Sequence, residues 1–354
     1  MSRLIHTSAP GSTLLLGEHA VLAGEAALVC ALDKRIFVTL KPRNDQSISI
    51  NSELGYYQCP LSLFTQPNTK AQLQDQLKNT PAKFRFVLAA IQQAGQINNN
   101  RLQLGFDLTI RADFKATVGF GSSAAVTVAV LGALLCRTQQ KQQEVNLNLL
   151  FNLAYRAIRA AQNNQGSGAD VAASVYGGLV HYQPQLSSPH AQLQQHIQTL
   201  KPKFHYPHIH LIYSGYKTPT PIVIAHVTEQ FKNKPNELTA IYQAIAQCTQ
   251  QGLQALGNNA DVIEGLTTLA TAMTTQQALM TKLGVNNDTL QNIIDYLTTD
   301  RNIFAAKISG SGLGDCIIAL SHTATPPQLT AEHAAQGIQY LPAAICPTGF
   351  CYDH

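Results

Sequence analysis

The spacing of apolar residues along the chain predicts strands in its first part and mainly helices in its second. Ile36–Lys41 alternates apolar and polar residues with a period of two, as in a half-buried strand. Thr13–Leu16 is a short apolar run of strand length, and Ala26–Leu32 fits either a strand or a small helix. Further strands are predicted over Asn44–Asn51 (as a hairpin), Leu102–Ile110, Leu179–Tyr182, Ile209–Tyr213, Ile303–Ile308, Cys316–Leu320 and Gln339–Cys346. Helices are predicted over Pro81–Ala94, Ala124–Cys136, Val145–Gln162, Glu237–Leu256, Val262–Leu283 and Asn287–Leu297.

These predicted elements segregate into groups more than they alternate, which favours an α+β fold over a doubly wound sheet. A chain of 354 residues is long enough for roughly two domains or lobes. The stretch Pro184–Phe204 is rich in Gln, Ser and Pro and is the best candidate boundary. We therefore expect an N-terminal lobe over residues 1–185 and a C-terminal lobe over 205–354.

Composition narrows the classes of function. A formal charge of +4, no long basic run and no Trp argue against a nucleic-acid partner. Ala124–Cys136 is the longest apolar stretch and is too short to span a bilayer, and the first residues lack a signal peptide's apolar core. We therefore expect no membrane partner. The seven cysteines form no C-x-x-C pair and are odd in number, which indicates reduced thiols and a cytoplasmic location. His205, His208 and His210 lie close together, but without an acidic or cysteine neighbour a half-exposed strand is favoured over a metal site.

A glycine-rich run that leads into an apolar helix is the most informative stretch. It contains Gly119, Gly121, Ser122, Ser123 and Ala124. Glycine lets a backbone approach a ligand closely, and the first turn of a helix offers unpaired N–H groups to an anion. The run is therefore a candidate cradle for nucleotide phosphates, with a serine hydroxyl available to Mg²⁺. The alternative is that the serines only cap the helix.

Two more segments carry candidate chemistry. Glu18 and His19 stand between apolar residues after a glycine, as a substrate-facing rim or as an exposed strand end. Asp170 is the only charge in the glycine-rich run Gly166–Gly178, where a carboxylate is costly unless it is paired or used. It is a candidate for orienting a substrate hydroxyl and accepting its proton, or for capping a helix that begins at Val171.

A third glycine-rich run lies between two predicted strands. It contains Gly310, Ser311 and Gly312, and its alternating glycines suit a backbone that passes close to a ligand. A β-bulge or a hairpin turn is the alternative interpretation.

Taken in this order and at these separations, the three runs resemble the motifs of the GHMP kinases, from about Ser8 to Leu320. The resemblance implies a two-lobe α+β fold with a left-handed βαβ unit and ATP bound in a central cleft. It implies that Gly119–Ser123 surrounds the phosphates, that Ser123 contacts Mg²⁺ and that Asp170 activates the substrate hydroxyl. Gly310–Gly314 would steady the phosphate loop and the substrate.

Within the family the motifs point to two related substrates. Gly17–Leu22 and Ala305–Gly312 are most similar to mevalonate kinases, in which His19 would contact the substrate by donating to an oxygen. Ala161–Ala173 and Gly314–Cys316 resemble phosphomevalonate kinases. A substrate contact at Thr220 fits either. We expect a kinase for the alcohol of mevalonate, and a kinase for phosphomevalonate is the alternative. The decarboxylase of diphosphomevalonate shares the fold, but the two serines and the Gly-Glu-His run suit the kinases better.

Two departures from the family pattern are visible. Ser12, which we place at the substrate, stands where mevalonate kinases have a lysine, and an apolar residue near Ile158 replaces a magnesium-binding glutamate. Lys217 and Arg111 are candidates for the missing cation. Because of Ser12, a catalytically weak relative that binds ligand as a sensor stays an alternative. The sequence leaves the oligomeric state open, with a homodimer as one option.

Overall fold

The structure is a computed structural model that describes residues 4–65, 79–97, 103–115, 118–138, 145–184, 196–200, 207–257 and 262–353. Two β-sheets and their helices account for most of it. The larger sheet has eight strands and the smaller has four. This is the predicted α+β class, and the chain's candidate motifs lie where the two sheets meet.

Two long antiparallel strands, β1 and β2, organise the larger sheet. The strand order is β12-β1-β2-β5-β3-β4, and β6 pairs with the first part of β2 and with β7. Among the strand pairs of the described residues, only β3 and β5 run parallel, and the connection between them carries the hairpin strand β4 and two helices. The strands are β1 (Ile5–Leu16), β2 (Ala27–Pro42), β3 (Ser47–Ser52), β4 (Gly55–Pro60), β5 (Phe106–Ala112), β6 (Leu179–Gln183), β7 (His196–Leu200) and β12 (Cys351–Asp353).

One nearly all-apolar helix, α3, is the centre of the first core. It packs on β1 and β2, and α2 and α4 pack against it. Because its residues from Val128 to Leu134 are buried all round, it has no polar face to expose. The helices of this lobe are α1 (Ser62–Thr65), α2 (Arg85–Ile97), α3 (Ser122–Thr138), α4 (Leu147–Ala161) and α5 (Ala169–Tyr176).

The second core lies between the smaller sheet and a set of helices. Its strand order is β11-β8-β10-β9, all antiparallel. The strands are β8 (His208–Tyr213), β9 (Ile303–Ser309), β10 (Cys316–Ser321) and β11 (Gln339–Leu341). The helices are α6 (Thr220–Gln230), α7 (Pro235–Ala255), α8 (Val262–Lys282), α9 (Asp288–Leu297) and α10 (Ala331–Ala335). Leu15, Leu16 and Leu28 of the larger sheet belong to this core, so the two sheets share buried surface.

A buried ion pair joins the sheets at this seam. The Lys307 ammonium on β9 contacts the Glu18 carboxylate just after β1, and both side chains are almost fully buried, at 0% and 2% exposure. Gln276 on α8 donates to the other Glu18 oxygen. The hydroxyls of Thr13 and Ser309 lie 2.6 Å apart beside the pair. Buried charges persist only when they are paired and hydrogen-bonded, and this cluster meets that condition.

Some predictions of secondary structure were wrong. The segments predicted over Ala26–Leu32 and Ile36–Lys41 form one strand, β2, since no glycine or proline separates them. The strands β7, which pairs with β6, and β12, which pairs with β1, were not predicted. Helix α6 was not predicted, because its Thr, Ile and Val residues favour strands in sequence. Leu102 lies outside the described residues.

Replacement of Lys307 by Met tests the role of the ion pair. Lys307→Met leaves the Glu18 carboxylate buried without its partner, so we expect the free energy of unfolding to fall by about 3–5 kcal/mol in urea denaturation. The double variant Glu18→Gln/Lys307→Met removes both charges and should lose less than Lys307→Met alone. Lys234→Met, which breaks the exposed pair with Glu237, is the control and should change stability by under about 1 kcal/mol. A Lys307→Met variant as stable as this control would contradict the role given to the pair.

Candidate functional site

A cleft of about 420 Å³ opens at the seam between the two sheets. All three glycine-rich runs reach it, together with the end of β1 and the start of α6. Among the predicted site residues, those that line it are Ser12, Glu18, His19, Gly119, Gly121, Ser122, Ser123, Asp170, Thr220, Gly310 and Ser311. The fold thus brings together side chains that are up to 299 positions apart, from Ser12 to Ser311.

An irregularity in the pairing of β1 with β2 fixes the glycine loop that precedes α3. The register between β1 and β2 shifts between Pro10 and Ser12, which frees the Ser12 N–H to donate to the Phe120 carbonyl at 3.0 Å. Gly11 permits this approach, because a Cβ there would lie 2.6 Å from the Phe120 oxygen. Gly121, at φ 60°, has no room for a Cβ beside the Ser12 hydroxyl. The loop is therefore held directly against the strand that carries Ser12.

Helix α3 begins at Ser122, immediately after this loop. Ser123 lines the cleft, whereas Ala124 is buried behind it in the first helical turn. The N-terminal end of a 17-residue helix therefore opens on the cleft, where its partial positive charge favours an anion.

Asp170 reaches the cleft from the first turn of α5. The N-cap of that helix is Gly168, at φ 93°, so the alternative that Asp170 caps a helix starting at Val171 was wrong. The Ser12 hydroxyl donates to Asp170 Oδ1 at 2.9 Å, and Ser174 of α5 donates to the Pro10 carbonyl at 2.9 Å. These bonds attach α5 to β1 and fix the direction of the carboxylate.

The surroundings of Asp170 raise its pKa above the ordinary value. Burial is the largest cause, because removal from water disfavours the charged form. The Ser12 hydrogen bond and the nearby Lys217 ammonium act in the opposite direction, and the negative charges of Asp315 and Glu18 raise the pKa further. A carboxylate with a raised pKa is a stronger base than one in water.

Glu18 and His19 are both buried, so the alternative of an exposed strand end was wrong, and both border the cleft. Both Glu18 oxygens are bound within the protein, by Lys307 and Gln276, although the residue borders the cleft. His19 has φ 62°, and its Nε2–H donates to the Ser311 carbonyl at 2.8 Å. Burial lowers the pKa of His19 and favours the neutral ring. The hydrogen that was expected to reach a substrate oxygen is thus already used, and the neutral ring offers only Nδ1, as an acceptor.

The third glycine-rich run divides between the cleft and the protein interior. A Cβ on Gly310, at φ 94°, would meet no heavy atom of the described residues within 4 Å, so this glycine faces the open cleft. Gly312 does not line the cleft, because it packs on Val285, whose carbonyl oxygen would lie 2.5 Å from a Cβ. Asp315, which has no role of its own in the sequence-based prediction, lines the cleft instead.

The two candidate cations, Lys217 and Arg111, differ in their position relative to the cleft. Lys217 lines the cleft, and its ammonium lies 2.9 Å from Asp315 Oδ2. Arg111 is exposed on β5 and stacks over the Phe37 ring, outside the cleft. Arg35 of β2, a further cation outside the cleft, donates to the carbonyls of Thr348 and Gly349 and so binds the C-terminal segment. Of the Lys and Arg residues in the described ranges, only Lys217 lines the cleft.

A second cavity of about 280 Å³ adjoins the first. The two share Phe86, Ser122 and Ser123, so the second cavity starts at the N-terminal end of α3. Its walls are mostly apolar, from Ile36, Leu54, Phe84, Val87, Ile110, Phe114 and Val126, with Ser52, Glu53 and Lys83 as polar members. A flat, mainly apolar group attached to an anion at the helix fits this arrangement.

Ile158, the residue at the position of the expected magnesium-binding glutamate, is buried against Gly166.

His208 and His210 form no metal site within the described residues. His210 is buried and contacts the Thr323 carbonyl, and His205 lies outside the described residues. The described residues contain no group of three or more His, Cys, Asp or Glu side chains that would hold a metal ion. No helix among them is long and apolar enough to cross a membrane.

The role of Lys307 was missed, although its signal was in the sequence. Lys307 interrupts the apolar strand Ile303–Ser309, and a charge there requires a buried partner. Glu18, which stands out for the same reason in another apolar run, is that partner.

Comparisons with known proteins agree with this geometry. The N-terminal domain model of the GHMP kinases matches residues 84–178 and the C-terminal model matches residues 253–339, which together cover just over half of the chain. A mevalonate kinase from Pyrococcus horikoshii is 25% identical over 341 residues, covering 96% of this chain and 96% of the relative.

Solved structures show the same fold along the whole chain. The Lin0012 protein from Listeria innocua has a TM-score of 0.77 at 20% identity and covers 99% of both chains. A crystal structure of mevalonate kinase has a TM-score of 0.72 at 21% identity and covers 98% of this chain and 99% of its own. With both family models matched in order and the cleft built from the three motifs, the chain belongs to the GHMP kinase family.

Proposed function

We propose that this chain is an ATP-dependent mevalonate kinase that transfers the γ-phosphoryl group of ATP to the alcohol of mevalonate. One observation carries the proposal. The Asp170 carboxylate, held by the Ser12 hydroxyl at 2.9 Å, lines the same cleft as the glycine loop and the N-terminal end of α3. A base and an anion cradle in one cleft are what phosphoryl transfer to an alcohol requires.

The nucleotide would lie along the first residues of α3. Gly119, Gly121 and the backbone at Ser122–Ala124 would surround its phosphates, where N–H groups and the helix dipole favour negative charge. The adjoining apolar cavity would receive the base, since it begins at the same serines. The two cavities together thus accommodate both parts of ATP.

Asp170 acts on the substrate hydroxyl. It orients the O–H group and accepts its proton as the oxygen bonds to the γ-phosphorus and the bond from that phosphorus to the departing ADP oxygen breaks. The Ser12 hydrogen bond keeps the carboxylate in one orientation. Burial raises its pKa and makes it the stronger base.

Mg²⁺ fits the donors that this cleft presents. Ser123 supplies a hydroxyl on the cleft wall, which is a hard oxygen donor of the kind that Mg²⁺ prefers. Ser123 would hold the ion together with the phosphates and water, since Ile158 leaves no carboxylate at the glutamate position. When bound, Mg²⁺ neutralises charge on the triphosphate.

The remaining wall would hold the substrate. Thr220, Gly310 and Ser311 line it, and His19 offers Nδ1 as an acceptor, while Glu18 and Gly312 would keep the wall in place from behind. Lys217 is the one cation that lines the cleft among the described residues. A substrate with a single carboxylate suits this wall better than phosphomevalonate, whose additional phosphate calls for more Lys or Arg.

We assign the division into an ATP-binding lobe over residues 1–185 and a second lobe over 205–354 to this function, with β12 returning to the first sheet. We also place the activity in the cytoplasm. All seven cysteines are free thiols, which is typical of a reducing compartment.

A substrate panel tests the proposed function. We expect ADP release with mevalonate and MgATP, and at most a small fraction of that rate with phosphomevalonate, galactose or homoserine. Preferential turnover of phosphomevalonate would show that the charge argument is wrong. ATP binding without turnover of any of the four would favour a ligand-binding sensor.

Asp170→Asn tests the base. The amide keeps the size of the side chain but accepts no proton, so kcat should fall by about 10²–10⁴-fold while ATP affinity is retained. In the wild type the ionised carboxylate is needed, so kcat/KM should fall as the pH drops through a pKa above the 3.8 of a free aspartate. The control is Asp45→Asn on the exposed β2–β3 turn, where activity should not change. Unchanged turnover in Asp170→Asn would remove this residue from the mechanism.

A further inference from the structure

The charges that line the cleft are unbalanced. Glu18, Asp170 and Asp315 place three carboxylates around it, and only Lys307 neutralises Glu18 from behind. Lys217 is the single cation on the wall within the described part of the chain. A triphosphate and an acidic substrate would add further negative charge, so the position of Lys217 decides where that charge is compensated.

Backbone hydrogen bonds join the segment before Lys217 to the segment around Asp315. The Asp315 N–H donates to the Tyr216 carbonyl at 2.8 Å, and the Ser214 N–H donates to the Asp315 carbonyl at 2.9 Å. Gly314, at φ 133°, lets the backbone pass beside the Tyr216 ring, which lies 2.8 Å from where a Cβ would stand. The backbone on either side of the Lys217–Asp315 ion pair is therefore fixed by hydrogen bonds.

The ion pair lines the same cleft as the glycine loop and Asp170. A Cβ on Gly119 would lie 2.3 Å from Asp315 Oδ1, so the Asp315 carboxylate contacts the loop directly. The charge of the Lys217 ammonium lowers the pKa of Asp170 against the effect of burial. The ammonium is therefore paired with a carboxylate that contacts the loop proposed to hold the phosphates, and it shares its cleft with the base.

We propose that Lys217 is a catalytic residue whose ammonium neutralises the γ-phosphoryl oxygens during transfer, and that Asp315 is a positioning residue that holds it. This inference rests on the proposed kinase function. Lys217 donates hydrogen bonds to the phosphoryl oxygens. The substrate oxygen forms the new bond to phosphorus, ADP leaves with the electrons of the broken bond, and the proton goes to Asp170. Such a donor acts where charge moves during the reaction, so it lowers the barrier more than it strengthens binding.

Lys217→Met, compared with Lys217→Arg, tests the catalytic role. Loss of one donor to the transferring group should lower kcat by about 10²–10³-fold, with the KM for ATP and for mevalonate changed by less than about fivefold. Arg keeps the charge and should recover part of kcat. Lys232→Met, which removes an exposed lysine paired with Glu229, is the matched control and should behave as wild type.

The outcomes separate this inference from the proposed function. A wild-type chain that does not phosphorylate mevalonate would refute the proposed function itself. With an active wild type, a Lys217→Met variant that keeps kcat within threefold would refute the catalytic role. A raised KM for mevalonate with an unchanged kcat would instead assign Lys217 to the substrate carboxylate. Thermal unfolding of each variant shows whether it is folded, and Lys217→Arg serves if the Met variant is not.

The pH profile tests the placement of the pair beside the base. The charged and titratable groups that act on Asp170 are Lys217, Asp315, Glu18 and the buried Cys30 thiol. Lys217→Met removes the cation that lowers the pKa of Asp170, so the acidic limb of kcat/KM should move to higher pH. Asp315→Asn removes an anion and should move the limb to lower pH.

Asn also suits position 315, because it tolerates the left-handed backbone found there, at φ 71°. Asp315→Asn should lower kcat less than Lys217→Met does, because the ammonium remains but loses its fixed position. If the acidic limb of the kcat/KM profile lies at the same pH in the wild type and in both variants, the placement of the ion pair near Asp170 is wrong.

Discussion

The ion pair between Glu18 and Lys307 is the constraint on which the cleft depends. Two charges removed from water are stable only while they stay paired. Here Glu18 follows β1 of the larger sheet and Lys307 lies on β9 of the smaller sheet. Gln276 adds a third element, α8, by bonding both to the Glu18 carboxylate and to the Gly17 N–H, the latter at 3.0 Å. If the two sheets separated at this point, each buried charge would lose its partner. The distance between the two walls is therefore set by a buried contact beneath the site.

Glycines determine how closely the functional parts approach each other above that contact. Gly11 lets the loop carbonyl of Phe120 reach β1, Gly119 lets the loop rest on the Asp315 carboxylate, and Gly168 starts the helix that carries Asp170. Each position excludes a Cβ because another backbone or a side chain occupies the space. The base, the cation and the phosphate loop are thus placed by close packing and hydrogen bonds within the protein itself. Preorganisation of this kind is the main source of catalysis in phosphoryl transfer.

Much of the fold and of the site was predictable from local sequence. The three glycine-rich runs carry strong local signals, and the structure brings all of them to one cleft. Each buried charge stands out in its own apolar run, but their pairing was not predictable, since nothing near Glu18 in sequence identifies Lys307, 289 positions away, as its partner. The same holds for Lys217, which was one of two candidate cations until the fold placed Arg111 outside the cleft. The helix α6 was missed because its β-branched residues are retained for packing and for the cleft wall, against their local preference.

A crystal structure with mevalonate and a non-hydrolysable ATP analogue tests most directly whether one cleft holds the base and the phosphate cradle on facing walls. We expect the substrate hydroxyl to lie within hydrogen-bond distance of the Asp170 carboxylate and to point at the γ-phosphate, with the triphosphate along residues 119–124. A triphosphate bound elsewhere, or a substrate hydroxyl remote from Asp170, would contradict this arrangement.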